Sequence, residues 1–317
     1  MTHRRAVVLM IVVTLLWSTA GVVTRHLEAA RSFEITFWRS AFNALALVLA
    51  LGWMRGPALL GQLRRAPRLV WVSGLCWAVM FTAFMVALTM TKVANVLVTM
   101  ALGPLLTALF SRLFLHHALP ARTWIAIVVA SAGIAWMFGH EFGAGGGLLG
   151  VLVALGVPLA AAVNWCVLQH VGHGEDESGD MPLAVLIGAL ISAGLALPLA
   201  WPLQASPHDL GLLAGLGVFQ LAVPCLLVVR LSRVLAGPEL ALLGQLEVVL
   251  GVLWAWLGAG EDPSSAALLG GAMVLAALAG NEWLAWRAET RPRAPGRAAV
   301  SPASSSSNPQ STSRSEA

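Results

Sequence analysis

The chain has 317 residues, of which 58% are hydrophobic and only 11% are charged, and its net charge is +4. A soluble domain carries about 25% charged residues, so this composition excludes an ordinary soluble protein. Apolar runs of about 20 residues recur, which is the length that crosses a hydrocarbon core about 30 Å thick. Because the runs are not the short alternating segments of a membrane β-barrel, we predict an all-α polytopic membrane protein.

The chain begins with Arg4 and Arg5 followed by an apolar run, a pattern that signal peptides share. Many further apolar runs follow, so we interpret this segment as an uncleaved first transmembrane helix. The predicted spans are residues 6–24, 33–53, 69–90, 93–114, 123–139, 148–169, 181–203, 211–230, 239–258 and 265–286. The sequence therefore predicts ten transmembrane helices.

The ten predicted spans repeat. A shift of 144 residues lays the first five spans on the second five, and it aligns Leu102 with Leu246 and Leu106 with Leu250. Five is an odd number, so the two halves would enter the membrane from opposite sides, as an inverted-topology repeat. The predicted organisation is a five-helix repeat at 1–139, a Gly-rich linker at 140–147, a second five-helix repeat at 148–290 and a disordered tail at 291–317.

The basic residues indicate the orientation of the chain. With a cytoplasmic N-terminus, 15 of the 19 Lys and Arg residues lie on the inner side, in loops and in the tail. This positive-inside bias predicts a multi-pass protein of the plasma (inner) membrane with both termini cytoplasmic. The acidic loop at 173–180 goes against the bias, but acidic residues contribute little to orientation. Because loop charges of this kind reflect membrane orientation, we expect no nucleic-acid partner.

Two segments carry a resemblance to a known family. Residues 92–115 read KVANVLVTMALGPLLTALFSRLFL, with Pro104 in the middle, and residues 242–276 contain Glu247, the Gly260-Glu261 pair and the Gly270-Gly271 pair. Together with the tandem halves, these segments resemble the ten-helix EamA-type transporters of the drug/metabolite transporter superfamily. Arg39 in FWRSAFNAL is similar to the arginine of the family's second helix. Val248 stands where the family usually has a proline.

The resemblance implies a secondary transporter of small metabolites, often an exporter of amino acids or related compounds, driven by a proton gradient or by exchange. No ATP-binding loop of the G-x-x-x-x-G-K-[ST] type is present, which argues against direct use of ATP. The alternatives are a flippase for a lipid-linked substrate and a non-transporting membrane accessory protein. No motif supports an enzyme, and we expect no cofactor.

We expect no metal site either. His116 and His117 are adjacent on a helix and point in different directions, which suits shared ligation poorly. Cys76, Cys166 and Cys225 all lie in apolar segments, and their number is odd. We interpret them as small buried hydrophobic residues.

Arg39 and Glu247 are the main candidates for function, because a charged group at membrane depth costs about 2.5–3.5 kcal/mol on insertion scales. Arg39 lies about 9 Å from the outer end of span 2, and Glu247 about 12 Å from the inner end of span 9. Both are therefore expected near the centre of the bilayer. Arg39 would bind a substrate carboxylate, and Glu247 would bind a substrate amine or a coupling proton. The competing interpretation is a structural ion pair that joins the two halves.

Further candidates have uncharged side chains. Asn95 and Gln245 are polar residues inside spans, which either bridge helices or line a cavity. Trp17 and Trp165 lie late in the first span of each half and are candidates for an aromatic wall. Pro104 in mid-span predicts a kink, either static or a hinge.

Two more features have mainly structural interpretations. Glu34 and Glu239 are expected to stabilise helix N-termini. The small-residue row Ala272, Ala276 and Gly280 would pack against a neighbouring helix or a second copy in a homodimer.

Overall fold

The computed structural model describes residues 1–30, 32–90, 96, 99–116, 119–138, 148–173, 180–259 and 265–290. Within those ranges, all regular secondary structure is helical. The helices of the first half are α1 (His3–Trp17), α2 (Thr19–Thr24), α3 (Ser32–Arg55), α4 (Ala58–Arg64), α5 (Arg68–Met90), α6 (Gly103–Phe114) and α7 (Ala121–Phe138). The short helix α4 lies in a segment where no helix was predicted.

The second half follows the same plan. Its elements are α8 (Leu148–His173), α9 (Met181–Ala200), α10 (Pro207–Gly215), the π-helix π1 (Leu216–Ala222), α11 (Val223–Leu231), α12 (Gly237–Gly244), α13 (Leu246–Ala259) and α14 (Ser265–Thr290). The predicted linker 140–147, the acidic loop apart from its ends, Glu261 and the tail 291–317 lie outside the described residues.

Seven helical segments of the described residues are long and apolar enough to cross a membrane. Three shorter apolar helices accompany them: Gly103–Phe114, Ala121–Trp136 and Leu268–Asn281. Many large apolar side chains on their outer faces are exposed, as in helices that face lipid. The chain is therefore a multi-pass membrane protein.

Three predicted spans are interrupted, and the fourth span has its break at the turn Ala101–Leu102, directly before α6. The first span breaks at Ser18, between α1 and α2, and the ninth breaks at Gln245, between α12 and α13. The break at Ser18 is tied to α13, because the indole Nε1 of Trp254 donates a 2.9 Å hydrogen bond to the hydroxyl oxygen of Ser18. Polar side chains at such breaks can satisfy backbone or hydroxyl groups that a continuous helix would not expose.

Pro104 lies elsewhere in its helix than the sequence suggested. The helix α6 begins at Gly103, directly after the turn at Ala101–Leu102, so Pro104 occupies the first turn and not the interior. A proline is tolerated there because the N–H that it lacks would have no intrahelical partner. The kink therefore precedes Pro104 and lies at the turn. Its role as a hinge stays a prediction.

The helices of the two halves pack reciprocally. Helix α5 of the first half packs against α8 and α9 of the second half. In the same way, π1 and α11 of the second half pack against α3 and α1 of the first half. The last helices of the halves, α7 and α14, pack against each other, as do α3 and α9. A shift of 144 residues converts each contact of α5 into the corresponding contact of π1 and α11, and it pairs α7 with α14 and α3 with α9. The two halves are therefore related by an approximate two-fold axis.

The contact between α5 and α9 depends on glycine. A Cβ atom at Gly188 of α9 would lie 2.4 Å from the Cβ atom of Trp77 and 2.9 Å from the carbonyl oxygen of Gly74, both on α5. No side chain fits in that space. The missing side chains thus let the two helix backbones approach each other closely.

Polar contacts hold both ends of the bundle. At the end that contains Glu34, which we call the Glu34 end, its carboxylate accepts hydrogen bonds from the backbone N–H groups of Gln204 and Ala205. The nearby Asp209 accepts from the backbone N–H groups of Glu28, Ala29 and Ala30. Both carboxylates therefore join the two halves. Glu34 lies in the first turn of α3, where we expected it to stabilise the helix N-terminus, and it bonds in addition to a remote loop.

The opposite end, which contains Arg55 and which we call the Arg55 end, has ion pairs. Arg55 forms a bidentate salt bridge with Asp180, at the start of α9. The ring Nε2 of His3 and the carboxylate of Glu239, in the first turn of α12, are 2.7 Å apart. Both pairs join an element of the first half to an element of the second.

Candidate functional site

Arg39 lies on α3, in the interior of the bundle, and only 4% of its surface is exposed. Its Nε has no hydrogen-bond partner. A buried guanidinium with an unused donor is costly, because its charge has left water without full compensation. The group is therefore available to an acceptor that the protein does not supply.

Glu247 is the second residue of α13, directly after the break at Gln245. Its carboxylate lies at the N-terminal end of a helix, where the helix dipole favours negative charge. The residue is half-buried. It is thus more accessible than Arg39.

Arg39 and Glu247 interact electrostatically across the interior. They are too far apart for a direct ion pair, which requires an N–O distance of at most 4.0 Å. The two charges share one region of low dielectric, where each influences the other strongly. The structure therefore brings the two main candidates into one region without a direct ion pair between them.

Three further side chains complete this region. The Cys225 thiol, fully buried on α11, lies close enough to interact with Arg39, Glu247 and the Trp17 side chain. Trp17 is half-buried at the end of α1, and its carbonyl oxygen accepts a 3.3 Å hydrogen bond from Nε2 of Gln220, on π1. The opposite amide atom of Gln220, Oε1, is buried without a partner. We name Arg39, Glu247, Cys225, Trp17 and Gln220 the central cluster.

Gln245 lies where the two halves meet. Its Nε2 donates a 3.2 Å hydrogen bond to the carbonyl oxygen of Ala101, which is 144 residues away. This separation equals the repeat shift, so Gln245 bonds to the residue at its own equivalent position and lies close to the two-fold axis. The Ala101 oxygen also accepts a 2.8 Å hydrogen bond from the Ser131 hydroxyl. The breaks before α6 and α13 are thus joined to each other.

Trp165 lies in a different group of contacts. It is buried on α8 and packs edge-on against Trp77 of α5, with ring centroids 5.8 Å apart. The preceding residue, Asn164, accepts a 2.6 Å hydrogen bond from the Ser73 hydroxyl through its Oδ1. These contacts are typical of a core position, and a paired wall of Trp17 and Trp165 stays a prediction. Asn95, the remaining polar candidate, lies outside the described residues.

Sequence reasoning did not distinguish Gln220 from the other polar residues inside the predicted spans, and it did not identify Cys225 as a member of the central cluster. Gln220 belongs to a π-helix, a rare element that often occurs at functional sites and that no sequence period predicts. Cys225 was interpreted as a small hydrophobic residue, and all three cysteines are indeed buried and unpaired.

Comparison with known proteins agrees with this architecture. A model of the EamA-like transporter family matches the chain twice, over residues 4–139 and 148–281. The chain belongs to this family. A solved structure described only as the crystal structure of a protein aligns with a TM-score of 0.73, over 90% of this chain and 99% of its own, at 21% identity. A search of the curated proteins gives no match.

The two family matches correspond to the two halves of the fold, so the EamA-like two-repeat architecture is present in this chain. The protein is a membrane transporter. Its central cluster combines a cationic group, a carboxylate and neutral donors and acceptors between the two repeats. Such a cluster can hold a small polar solute by complementary charge.

Proposed function

We propose that the protein is a secondary active transporter that exports small metabolites bearing a carboxylate, amino acids or related compounds, by alternating access. The observation that carries this proposal is the separation of Arg39 and Glu247: opposite charges interact in one buried region without forming a direct ion pair. A structural ion pair would close to contact distance. A gap suits a zwitterionic solute between the two groups.

In this proposal the chain crosses the plasma (inner) membrane ten times, with both termini cytoplasmic, as an inverted-topology repeat. The seven long apolar helices and the three shorter ones support this topology by their number and order. The reciprocal packing of the halves and the hydrogen bond between equivalent residues Ala101 and Gln245 support it too. The Arg55 end would be cytoplasmic, in agreement with the positive-inside distribution.

The Arg39 guanidinium would bind the substrate carboxylate, since its planar fork matches the two oxygens of that group. Glu247 would bind the substrate amine or carry the coupling proton. Discontinuous helices at the bilayer centre are typical of substrate and ion sites in secondary transporters, and the break beside Glu247 supports this role. Trp17, Gln245 and Gln220 would complete the wall of the site.

The partners we propose are the bilayer and a small solute. Ala272 and Ala276 are exposed on α14, and a Cβ atom at Gly280 would meet nothing within 4 Å. The described part of the chain does not pack against the small-residue row, which therefore supports the proposed homodimer. Cross-linking of the purified protein tests for that dimer.

Transport by purified protein in proteoliposomes tests the proposal. Amino-acid and other carboxylate pools are screened for counterflow, and a pH-sensitive dye inside the vesicles records proton movement. We expect Glu247→Gln to abolish substrate-driven proton movement while the protein still folds. Glu239→Gln is the matched control, because that carboxylate lies in the same predicted span but at the Arg55 end, beside His3. Proton flux equal to wild type in Glu247→Gln would refute the coupling role.

The role of Arg39 is tested by charge-conserving substitution. Arg39→Lys keeps the positive charge and loses the bidentate fork, so transport of carboxylates should fall by about tenfold or more, with a smaller loss for compounds without a carboxylate. Arg55→Lys, on the same helix, is the control. Equal losses for both compound classes would argue against carboxylate recognition. Movement of a lipid-linked substrate, with no soluble solute transported, would favour the flippase alternative.

A further inference from the structure

Asn43 has an unusual environment for a buried amide. It is the twelfth of the 24 residues of α3, it is fully buried, and neither its Oδ1 nor its Nδ2 has a hydrogen-bond partner. Buried amides in the described part of the chain are otherwise bonded at one atom or both, as Asn164, Gln220 and Gln245 are. A leucine has the same branching and would bury no unpaired polar atoms. Packing therefore does not explain why the chain has asparagine at this position.

Asn43 lies beside the central cluster. Residues four apart on a helix share a face, so its side chain follows that of Arg39 by one turn. Gly217 of π1 faces this part of α3. An added Cβ atom at Gly217 would lie 2.9 Å from the Arg39 carbonyl oxygen and 2.9 Å from the backbone nitrogen of Asn43. The glycine brings the π-helix directly onto this part of α3. The Gln220 amide, with its own unpaired oxygen, lies three residues further along π1.

We propose that Asn43 is a specificity-determining residue that binds the substrate next to its carboxylate. The Nδ2 group donates to the carboxylate held by Arg39, and the Oδ1 atom accepts a hydrogen bond from a donor on the adjacent carbon. The preferred substrates are then carboxylates with an amino or hydroxyl group on the α-carbon. This inference rests on the proposed function, because it requires that Arg39 binds a carboxylate.

The two amide atoms are enclosed in the described conformation. The contact therefore forms when π1 moves away from α3, and closure of that gap without substrate leaves the amide unpaired. A π-helix is a rare element that often marks a functional position, which agrees with such a movement. In this way the unpaired amide opposes closure of the empty site and favours closure around the correct solute.

The test uses three acids with one hydrocarbon skeleton: leucine, 2-hydroxy-4-methylpentanoate and 4-methylpentanoate. Their dissociation constants are measured from the rise in Tm of the purified full-length protein in detergent. We expect wild type to bind the first two at least about tenfold more tightly than the third, as expected for one additional hydrogen bond. In Asn43→Leu this preference should disappear, and the Tm without ligand should stay the same or rise.

Asn164→Leu is the matched control, because it removes an equally buried amide that has a protein partner. It should lower Tm and keep the preference. Asn43→Ser serves as a second variant, which replaces the amide by a hydroxyl that can still donate and accept, and it should retain part of the preference. If Asn43→Leu binds the three acids with the wild-type ratios, or loses stability as Asn164→Leu does, the role of Asn43 is refuted and the proposed function stands. If none of the acids raises the Tm of wild type, carboxylate recognition itself is refuted.

Discussion

Substituting Gly188 by alanine should destabilise the protein strongly. The new methyl group would lie 2.4 Å from the Cβ atom of Trp77 and 2.9 Å from the Gly74 carbonyl oxygen, and it would lie 3.1 Å from the Ala78 nitrogen. A carbon–carbon contact is optimal at about 3.5–4.0 Å, so α5 and α9 would have to separate by about 1 Å. None of the three atoms can rotate away, because each is backbone or attached directly to it.

Overpacking of this kind costs about 3 kcal/mol when the backbone must move, the upper part of the usual range. For a large domain, 1 kcal/mol corresponds to a Tm shift of at least about 2 °C, so Gly188→Ala should lower Tm by roughly 6 °C or more. The assay is thermal unfolding in detergent, followed by a thiol-reactive dye that reports exposure of the three buried cysteines. Size-exclusion chromatography of the same samples measures the fraction that stays monodisperse.

Gly194→Ala is the matched control. Gly194 lies six residues further along α9, is exposed, and would place its new methyl group within 4 Å of nothing. Alanine favours a helix over glycine by up to about 1 kcal/mol, so Tm should stay the same or rise slightly. If the two variants unfold at the same temperature, the close approach of α5 and α9 is not what stabilises the interface between the repeats.

Two further predictions concern contacts between the halves. Asp209→Asn should lower Tm, because a neutral amide replaces the carboxylate that accepts hydrogen bonds from several backbone N–H groups. Glu28→Gln changes an exposed carboxylate nearby and should leave Tm unaltered. Equal Tm values for the two variants would contradict this prediction. Gln245→Leu and Ser131→Ala should each lower the free energy of unfolding by less than about 1 kcal/mol, because the Ala101 oxygen keeps one donor in each variant. The double variant should lose about 1–3 kcal/mol beyond the sum of the two, since that oxygen is then buried unpaired. Additive losses in the unfolding free energy would show that the oxygen finds another donor.

The repeat could be predicted from sequence because it depends on the spacing of long apolar runs, which the order of residues along the chain reveals directly. The family match at 4–139 and 148–281 confirms the two repeats, and the bond between Ala101 and Gln245 agrees with the shift. The helix breaks at Ser18 and Gln245 were missed because each is stabilised by a partner distant in sequence, Trp254 and Ala101 respectively. Local propensity contains no information about such partners.

The candidate site was predictable in its charges and not in its neutral groups. Arg39 and Glu247 could be identified because a charge within an apolar run is rare and costly. Asn43 and Gln220 resemble many other polar residues in the chain, and only their unpaired atoms distinguish them. The bonds of Glu34 and Asp209 to remote backbone groups were also beyond prediction, since hydrophobic periodicity does not encode loop conformation.

The hydrogen bond between Gln245 and Ala101 has a consequence for how such a protein can be assembled. In a dimer of two identical five-helix halves, any residue on the axis would meet a copy of itself, and two glutamates at the position of Glu247 would repel each other. Joining the halves in one polypeptide removes that constraint, so glutamine can face alanine, and Glu247 has Gly103 as its counterpart. A single carboxylate near the axis is thus a property that a dimer of identical halves cannot have.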